Sequence, residues 1–253
     1  MYDTYVDTLR AKRFDQSEEA SAADQLLTLH DAALAHTPCT FLELGTSQGQ
    51  STKVILNALE GSEGHLVSVD IEESSRAGSG PNWTFVQSDS ADIENVLDAA
   101  PRLRDGIDCL YIDSLHTVPH VKAELYGYFP HVKQGGQIFF DDVDSGPYMR
   151  GRRKDSVRKE LINRAIYDFV QDVFFGNLDA LRLEVKFGST GLAILTKTAP
   201  LGATLKAHQI QVTQRKTRWF WETLYRLQGK RQYKNDGNDA AGMLIPLNRK
   251  DNE

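Results

Sequence analysis

Residues 41–52 read FLELGTSQGQST. Phe41, Leu42 and Leu44 form the apolar end of a strand with the carboxylate of Glu43 among them, Gly45 and Gly49 follow four apart, and Ser51 and Thr52 open a helix. Glycine adopts positive φ without strain and lets backbone come close to a bound group. The amides at a helix start carry partial positive charge, which suits a carboxylate as well as a phosphate. The stretch reads as strand, turn and helix built to seat a small ligand.

Working outward, the same alternation of strand and helix recurs. Upstream, Tyr2, Tyr5, Val6 and Leu9 share one helical face, and Ser21 with Asp24 predicts the cap of a helix that ends before Pro38. The strand at 39–44 is followed by a helix at 50–60 and a strand at 65–69 that ends in Asp70. Residues 72–82, rich in Ser, Gly and Arg, read as a loop. A strand at 83–87 leads to Ser88 and Asp89, a helix covers 91–100, and an apolar strand at 107–112 ends in Asp113. A helix at 118–132 follows, and Gly135 and Gly136 turn the chain into a strand at 137–140 that ends in Asp141 and Asp142. After a basic segment at 150–159, Leu161, Ala165, Ile166 and Val170 recur at helical spacing. Residues 181–187 and 192–196 flank Gly188-Ser189-Thr190-Gly191, a hairpin signature. The expected fold is α/β, Rossmann-like and doubly wound: a mostly parallel seven-stranded sheet with a C-terminal antiparallel hairpin and helices on both faces. Residues 1–38 are then a helical arm or lid, 39–198 the ligand-binding core, and 199–253 a basic aromatic extension.

Charge and composition narrow the partners. Lys and Arg number 29 against 35 Asp and Glu, so the net charge of -6 gives no global attraction to nucleic acid or an anionic membrane. A small molecule is the expected partner. Cys39 and Cys109 lie in apolar runs and read as core thiols of a reducing compartment. With no apolar run long enough to span a bilayer, the expected location is the cytoplasm, away from membranes. Residues 206–234 hold eight Lys or Arg against one Glu, interleaved with Trp219, Phe220, Trp221, Tyr225 and Tyr233. Such a mixture can bind nucleic acid, but Phe220, Leu224 and Leu227 also make one helical face, which favours a docking or homodimerising helix.

Chemistry concentrates at the strand ends, because ligands of open parallel sheets bind outside the carboxyl ends of the strands. Acids stand there repeatedly: Glu43, Asp70, Asp113 and the pair Asp141 and Asp142. Asp70, some distance beyond the glycine turn, is placed to accept hydrogen bonds from a ribose, as NAD and S-adenosylmethionine both require. A dinucleotide fingerprint needs a middle glycine, and Gly45-Thr46-Ser47-Gln48-Gly49 lacks it, which disfavours pyrophosphate.

ELGTSQGQS resembles the first motif of class I S-adenosylmethionine-dependent methyltransferases, in the form used by the cation-dependent small-molecule O-methyltransferases of the catechol and caffeoyl-CoA type. VSVDIE resembles the ribose-binding second motif and SDSAD the adenine-side motif. IDSLHTVPHVKAEL and LYGYFPHVKQGGQIFFDDVD resemble the fourth- and fifth-strand blocks of the bacterial branch that includes the macrocin and cephalosporin-biosynthesis enzymes. The resemblance covers residues 39–198. It implies S-adenosylmethionine as cofactor, held by Glu43, Gly45, Thr46, Ser47, Gly49, Ser51, Asp70, Ile71, Asp89, Ser90 and Asp113, with a small-molecule hydroxyl as methyl acceptor. It also implies a divalent cation on Asp113, Asp141 and Asp142. That much has a physical logic of its own, since converging carboxylates repel unless a cation lies between them and hard oxygens suit Mg2+. His116 resembles the histidine of the bacterial I-D-G-D-H pattern and becomes, with Asp113, the catalytic candidate, although Ser114 and Leu115 replace the usual small and acidic residues. A histidine that only caps the next helix, acids that only cap a loop, a metal-independent or N-directed methyltransferase, and a non-catalytic binding protein that works through its basic tail all stay open.

Overall fold

The computed structural model describes residues 2–13, 18–152 and 154–206. The chain divides into two units, 1–212 and 213–253, and the described residues belong to the first. The expected tail helix with Trp219, Phe220, Leu224 and Leu227 lies outside the described residues. Seven strands, β1 (Thr40–Leu44), β2 (His65–Asp70), β3 (Trp83–Gln87), β4 (Ile107–Ile112), β5 (Val132–Phe140), β6 (Leu181–Lys186) and β7 (Leu192–Lys197), form one sheet in the order β3-β2-β1-β4-β5-β7-β6. The first five strands run parallel, β7 is antiparallel to β5, and β6 is antiparallel to β7. This is the expected fold.

Helices α1 (Asp3–Lys12), α2 (Glu18–Ala35) and α3 (Gln50–Leu59) cover one face, and α4 (Ile93–Ala99), α5 (Val118–Tyr128) and α6 (Val157–Gly176) the other. Strands buried on both faces need apolar residues in both alternating sets. In β1, Leu42 and Leu44 join the core beneath α4, α5 and α6, whereas Phe41 joins that beneath α1, α2 and α3 and stacks on Phe139. The sheet order reverses direction at β1, which has β2 on one side and β4 on the other. Crevices for ligands open at such a point. No helix among the described residues is long and apolar enough to cross a membrane.

Three boundaries differ from the sequence reading. Helix α2 starts at Glu18, so Ser21 and Asp24 lie inside it rather than at its cap, and Asp24 instead pairs with Arg13 and Lys186. Helix α5 stops at Tyr128, short of 132, because Pro130 follows in a 3-10 turn at Phe129–His131. Strand β5 begins at Val132, so Gly135 and Gly136 lie within it, at an irregular step in its pairing with β4 between Ile107 and Cys109.

Candidate active site

The turn after β1 is shaped by contacts within the protein. Gly45 has φ 95° and its N–H donates to the Val69 carbonyl at 2.8 Å. A Cβ there would stand 2.1 Å from the Asp113 carbonyl oxygen. At Gly49, φ 73°, a Cβ would meet Ala77 Cβ and O at 2.6 Å each. The glycines let the end of β1 lie against the end of β4, and the start of α3 against the loop at residue 77; the crowding neighbour is the protein's own backbone.

Asp70 holds the turn. Its Oδ2 accepts from the N–H groups of Thr46 (2.9 Å) and Ser47 (2.8 Å), and its Oδ1 from that of Glu72 (2.9 Å). A carboxylate offers about four acceptor positions, so three backbone bonds leave about one for a ligand. Glu43 does not face the crevice. Strand alternation turns it toward α3, fully buried, where Oε2 accepts from Thr52 Oγ1 (2.7 Å) and Ser68 Oγ (2.6 Å) and burial pushes its carboxyl above the usual range. Its place is behind the turn, which it joins to β2 and α3.

Two cavities flank the ends of β1 and β4. The larger, about 530 Å³, is lined by Gly45, Ser47, Val69, Asp70, Ile71, Glu72, Asp89, Ser90, Asp113, Ser114, Leu115 and His120. The smaller, about 200 Å³, is lined by Ala22, Gln25, Leu26, Leu29, Gln50, Ser51, Tyr111, Asp113, Asp141, Ser189, Thr190 and Leu192. Asp113 is the residue common to both. Gly45, Ser47, Asp70, Ile71, Asp89, Ser90 and Asp113 are thus brought together on one cavity, Ser51 lies on the other, and Glu43, Thr46 and Gly49 lie on neither. Tyr2, Tyr5 and Tyr148 line neither cavity, and Trp219 lies outside the described residues.

The acids meet around Tyr111 and His116. Tyr111 OH lies 3.1 Å from Asp113 Oδ2 and 3.1 Å from Asp141 Oδ2, able to donate to either. Asp141 Oδ1 also accepts from Thr190 Oγ1 at 2.6 Å and from the Asp142 N–H at 2.8 Å. His116 Nε2 stands 3.3 Å from Asp113 Oδ1 and 3.5 Å from Asp142 Oδ2. Burial, with the Asp141 charge adding to it, lifts Asp113 to about 7. Burial opposes a proton on His116, but the hydrogen bond to Asp113 and the charges of Asp142 and Asp113 outweigh it and raise the imidazole to about 9. Asp142, at φ 57°, is raised by burial and by Asp141.

The donor set is one of hard oxygens, which suits Mg2+. Its present arrangement places an imidazole between Asp113 and Asp142, and among the described residues no group of three His, Cys, Asp or Glu side chains stands ready around an ion. Sequence reasoning missed Tyr111, Gln25 and Thr190. Tyr111 was within reach, being two residues before Asp113 on one strand and so on the same face. Thr190 and Gln25 arrive from the hairpin turn and from α2, where Gln25 Nε2 donates to the Gly188 carbonyl at 3.0 Å.

Residues 42–143 match a family described as methyltransferase domain. No curated protein matches the chain. Among solved structures, a protein from Corynebacterium glutamicum aligns with TM-score 0.52 and 17% identity over 81% of this chain and 91% of that one. The O-methyltransferase TomG from Streptomyces achromogenes, involved in tomaymycin synthesis and solved with SAM, aligns with TM-score 0.50 and 19% identity over 70% of this chain and 81% of its own. MycE, from the mycinamycin biosynthetic pathway and solved with Mg and SAH, aligns with TM-score 0.47 and 21% identity over 66% of this chain, which spans about half of its length (47%). Over residues 42–143 the chain is thus similar to the methyltransferase-domain family, and its fold is shared with the Corynebacterium glutamicum protein and TomG.

Proposed function

We propose that this protein is an S-adenosylmethionine-dependent O-methyltransferase whose acceptor is the hydroxyl of a small molecule. The observation that carries the reading is the shared wall at Asp113: a cavity large enough for a nucleoside-sized ligand and a smaller one meet at one carboxylate. In the larger cavity Asp70 holds the ribose, Asp89 and Ser90 stand toward the base, and the turn from Gly45 to Ser47 carries the amino-acid end. The smaller cavity, with Leu26, Leu29 and Leu192 beside Gln25, Gln50 and Thr190, takes an uncharged ring bearing hydroxyls. Ligands held on either side of Asp113 bring methyl and oxygen together, which saves the entropy of an encounter.

Asp113, Asp141 and Asp142 would hold Mg2+, whose charge would lower the pKa of the bound hydroxyl. Against the effect of burial, His116 is raised by Asp113 and Asp142; with Mg2+ neutralising those acids the imidazole would lose its proton more readily and would serve as base for the hydroxyl. TomG, similar in fold, is a structure in complex with SAM, which supports the donor. A second reading has its own observation: His116 already relieves the repulsion between Asp113 and Asp142, so methyl transfer without metal is chemically open.

The test is turnover of S-adenosylmethionine to S-adenosylhomocysteine, followed by mass spectrometry with a panel of catechols and hydroxylated sugars, before and after EDTA treatment. Turnover lost on chelation and restored by Mg2+ supports the first reading. Full turnover after exhaustive EDTA replaces it with the second, and S-adenosylhomocysteine formed with no member of the panel refutes this acceptor class.

A further inference from the structure

Behind the larger cavity lies a carboxylate that methyl transfer does not use. Glu124, on α5, is fully buried, and burial is the main reason its carboxyl is raised. Its Oε1 accepts from Ser90 Oγ and from Ser114 Oγ, each at 2.5 Å, and lies 3.2 Å from His120 Nε2. Its Oε2 has no hydrogen-bond partner among the described residues, and none of them gives it a Lys or Arg. Ser90 comes from the loop between β3 and α4, Ser114 from the loop between β4 and α5, and both, with His120, line the cavity.

A hydroxyl has one proton to give and two lone pairs. Both hydroxyls reach the same oxygen, Oε1, as acceptor, so both serines give their protons inward, in short bonds. What they present to the cavity is therefore lone pairs, although His120 Nε2, 3.2 Å from Ser90 Oγ, can occupy one of that serine's. Asp89 adds acceptors to the same wall, and no Lys or Arg lines it. A ligand edge that carries N–H fits such a surface, and one that carries a carbonyl oxygen is repelled.

We propose that Glu124 is a positioning residue: it fixes Ser90 and Ser114 as acceptors, so that the cavity reads the amino group of adenine and refuses a base with oxygen at that position. This rests on the reading that the nucleoside of the methyl donor occupies the larger cavity. A merely structural Glu124, tying the two loops together, would weaken every nucleoside equally; a reader changes the ratio between two bases. The measurement is calorimetric affinity for S-adenosylhomocysteine and for S-inosylhomocysteine, which differs by oxygen in place of the amino group. The unaltered protein is expected to prefer the adenine compound by at least about tenfold, as a site built for a donor rejects the analogue without it. Glu124→Gln keeps an acceptor oxygen and should keep the ratio. Glu124→Leu frees both hydroxyls to rotate and should bring the ratio within about threefold while S-adenosylhomocysteine still binds. If circular dichroism shows the Leu variant unfolded, the double variant Ser90→Ala and Ser114→Ala carries the same expectation. A ratio near one in the unaltered protein, or an unchanged ratio in the folded Leu or double Ala variant, overturns the inference alone. Binding of neither compound overturns the donor reading and this inference with it.

Discussion

At Asp113 a single side chain borders both cavities, lies 3.1 Å from Tyr111 OH and stands 3.3 Å from His116 Nε2. Its neighbour Asp141 is oriented from the far side by Thr190, whose hydroxyl also lies 3.3 Å from Gln25 Oε1. Thr190→Val removes that bond with almost no change of volume. Losing one hydrogen bond to a charged group costs about 1.5 kcal/mol, so kcat is expected to fall roughly tenfold. Thr190 does not line the larger cavity, so the affinity for S-adenosylhomocysteine, measured by calorimetry, should stay within about twofold. At this scale the sequence was legible as to position: Asp70, Asp113 and Asp141 stand at the ends of β2, β4 and β5, beside the two cavities. It misled at Glu43, which sits on the strand face turned toward α3; counting alternate residues back from Leu44 would have shown this. Nothing near Thr190 in sequence points to Asp141, because a hairpin turn carries no sign of which strand end it will reach.

The elements meet most tightly where the β1 turn crosses the end of β4. Gly45→Ala would put a methyl 2.1 Å from the Asp113 carbonyl and 3.1 Å from the Ser114 N–H, at a φ of 95° that alanine rarely adopts. Both contacts are backbone, so neither can rotate away. The expected loss is more than about 2 kcal/mol, which a thermal melt would register as a drop of several degrees. Binding of S-adenosylhomocysteine should weaken in the same variant, since the displaced Asp113 lines the cavity proposed to hold it. Strand and helix order was readable from periodicity, but boundaries moved where a local rule was overridden: Pro130 ended α5, and β5 began at Val132 because irregular pairing with β4 absorbs Gly135 and Gly136. That β7 inserts between β5 and β6 is a pairing of distant segments, which the hairpin pattern alone leaves undetermined.

Across the whole molecule, one buried charge sets a pH dependence away from the site. Lys197 is fully buried on β7, and its Nζ donates to the carbonyls of Phe129 and Val132 at 2.8 Å each. Burial lowers it from 10.5 to about 8. The unfolded chain therefore holds this proton more tightly than the folded one, and folding carries its full cost below pH 8, a cost relieved as pH rises toward 10.5. Lys197→Met removes the effect. The stability difference between variant and parent should shift by about 3 kcal/mol in favour of the parent between pH 8 and 10.5, read from urea unfolding at several pH values. The chain also assigns its two cavities to different stretches of its length. The residues on the larger cavity end at His120, whereas the smaller is not closed until Ser189, Thr190 and Leu192 arrive. On the ribosome, then, every wall residue of the larger cavity has been translated before the hairpin that finishes the smaller one. A message cut short after α6 would specify a polypeptide with all the walls of the larger cavity and, on the function proposed above, nowhere to put an acceptor.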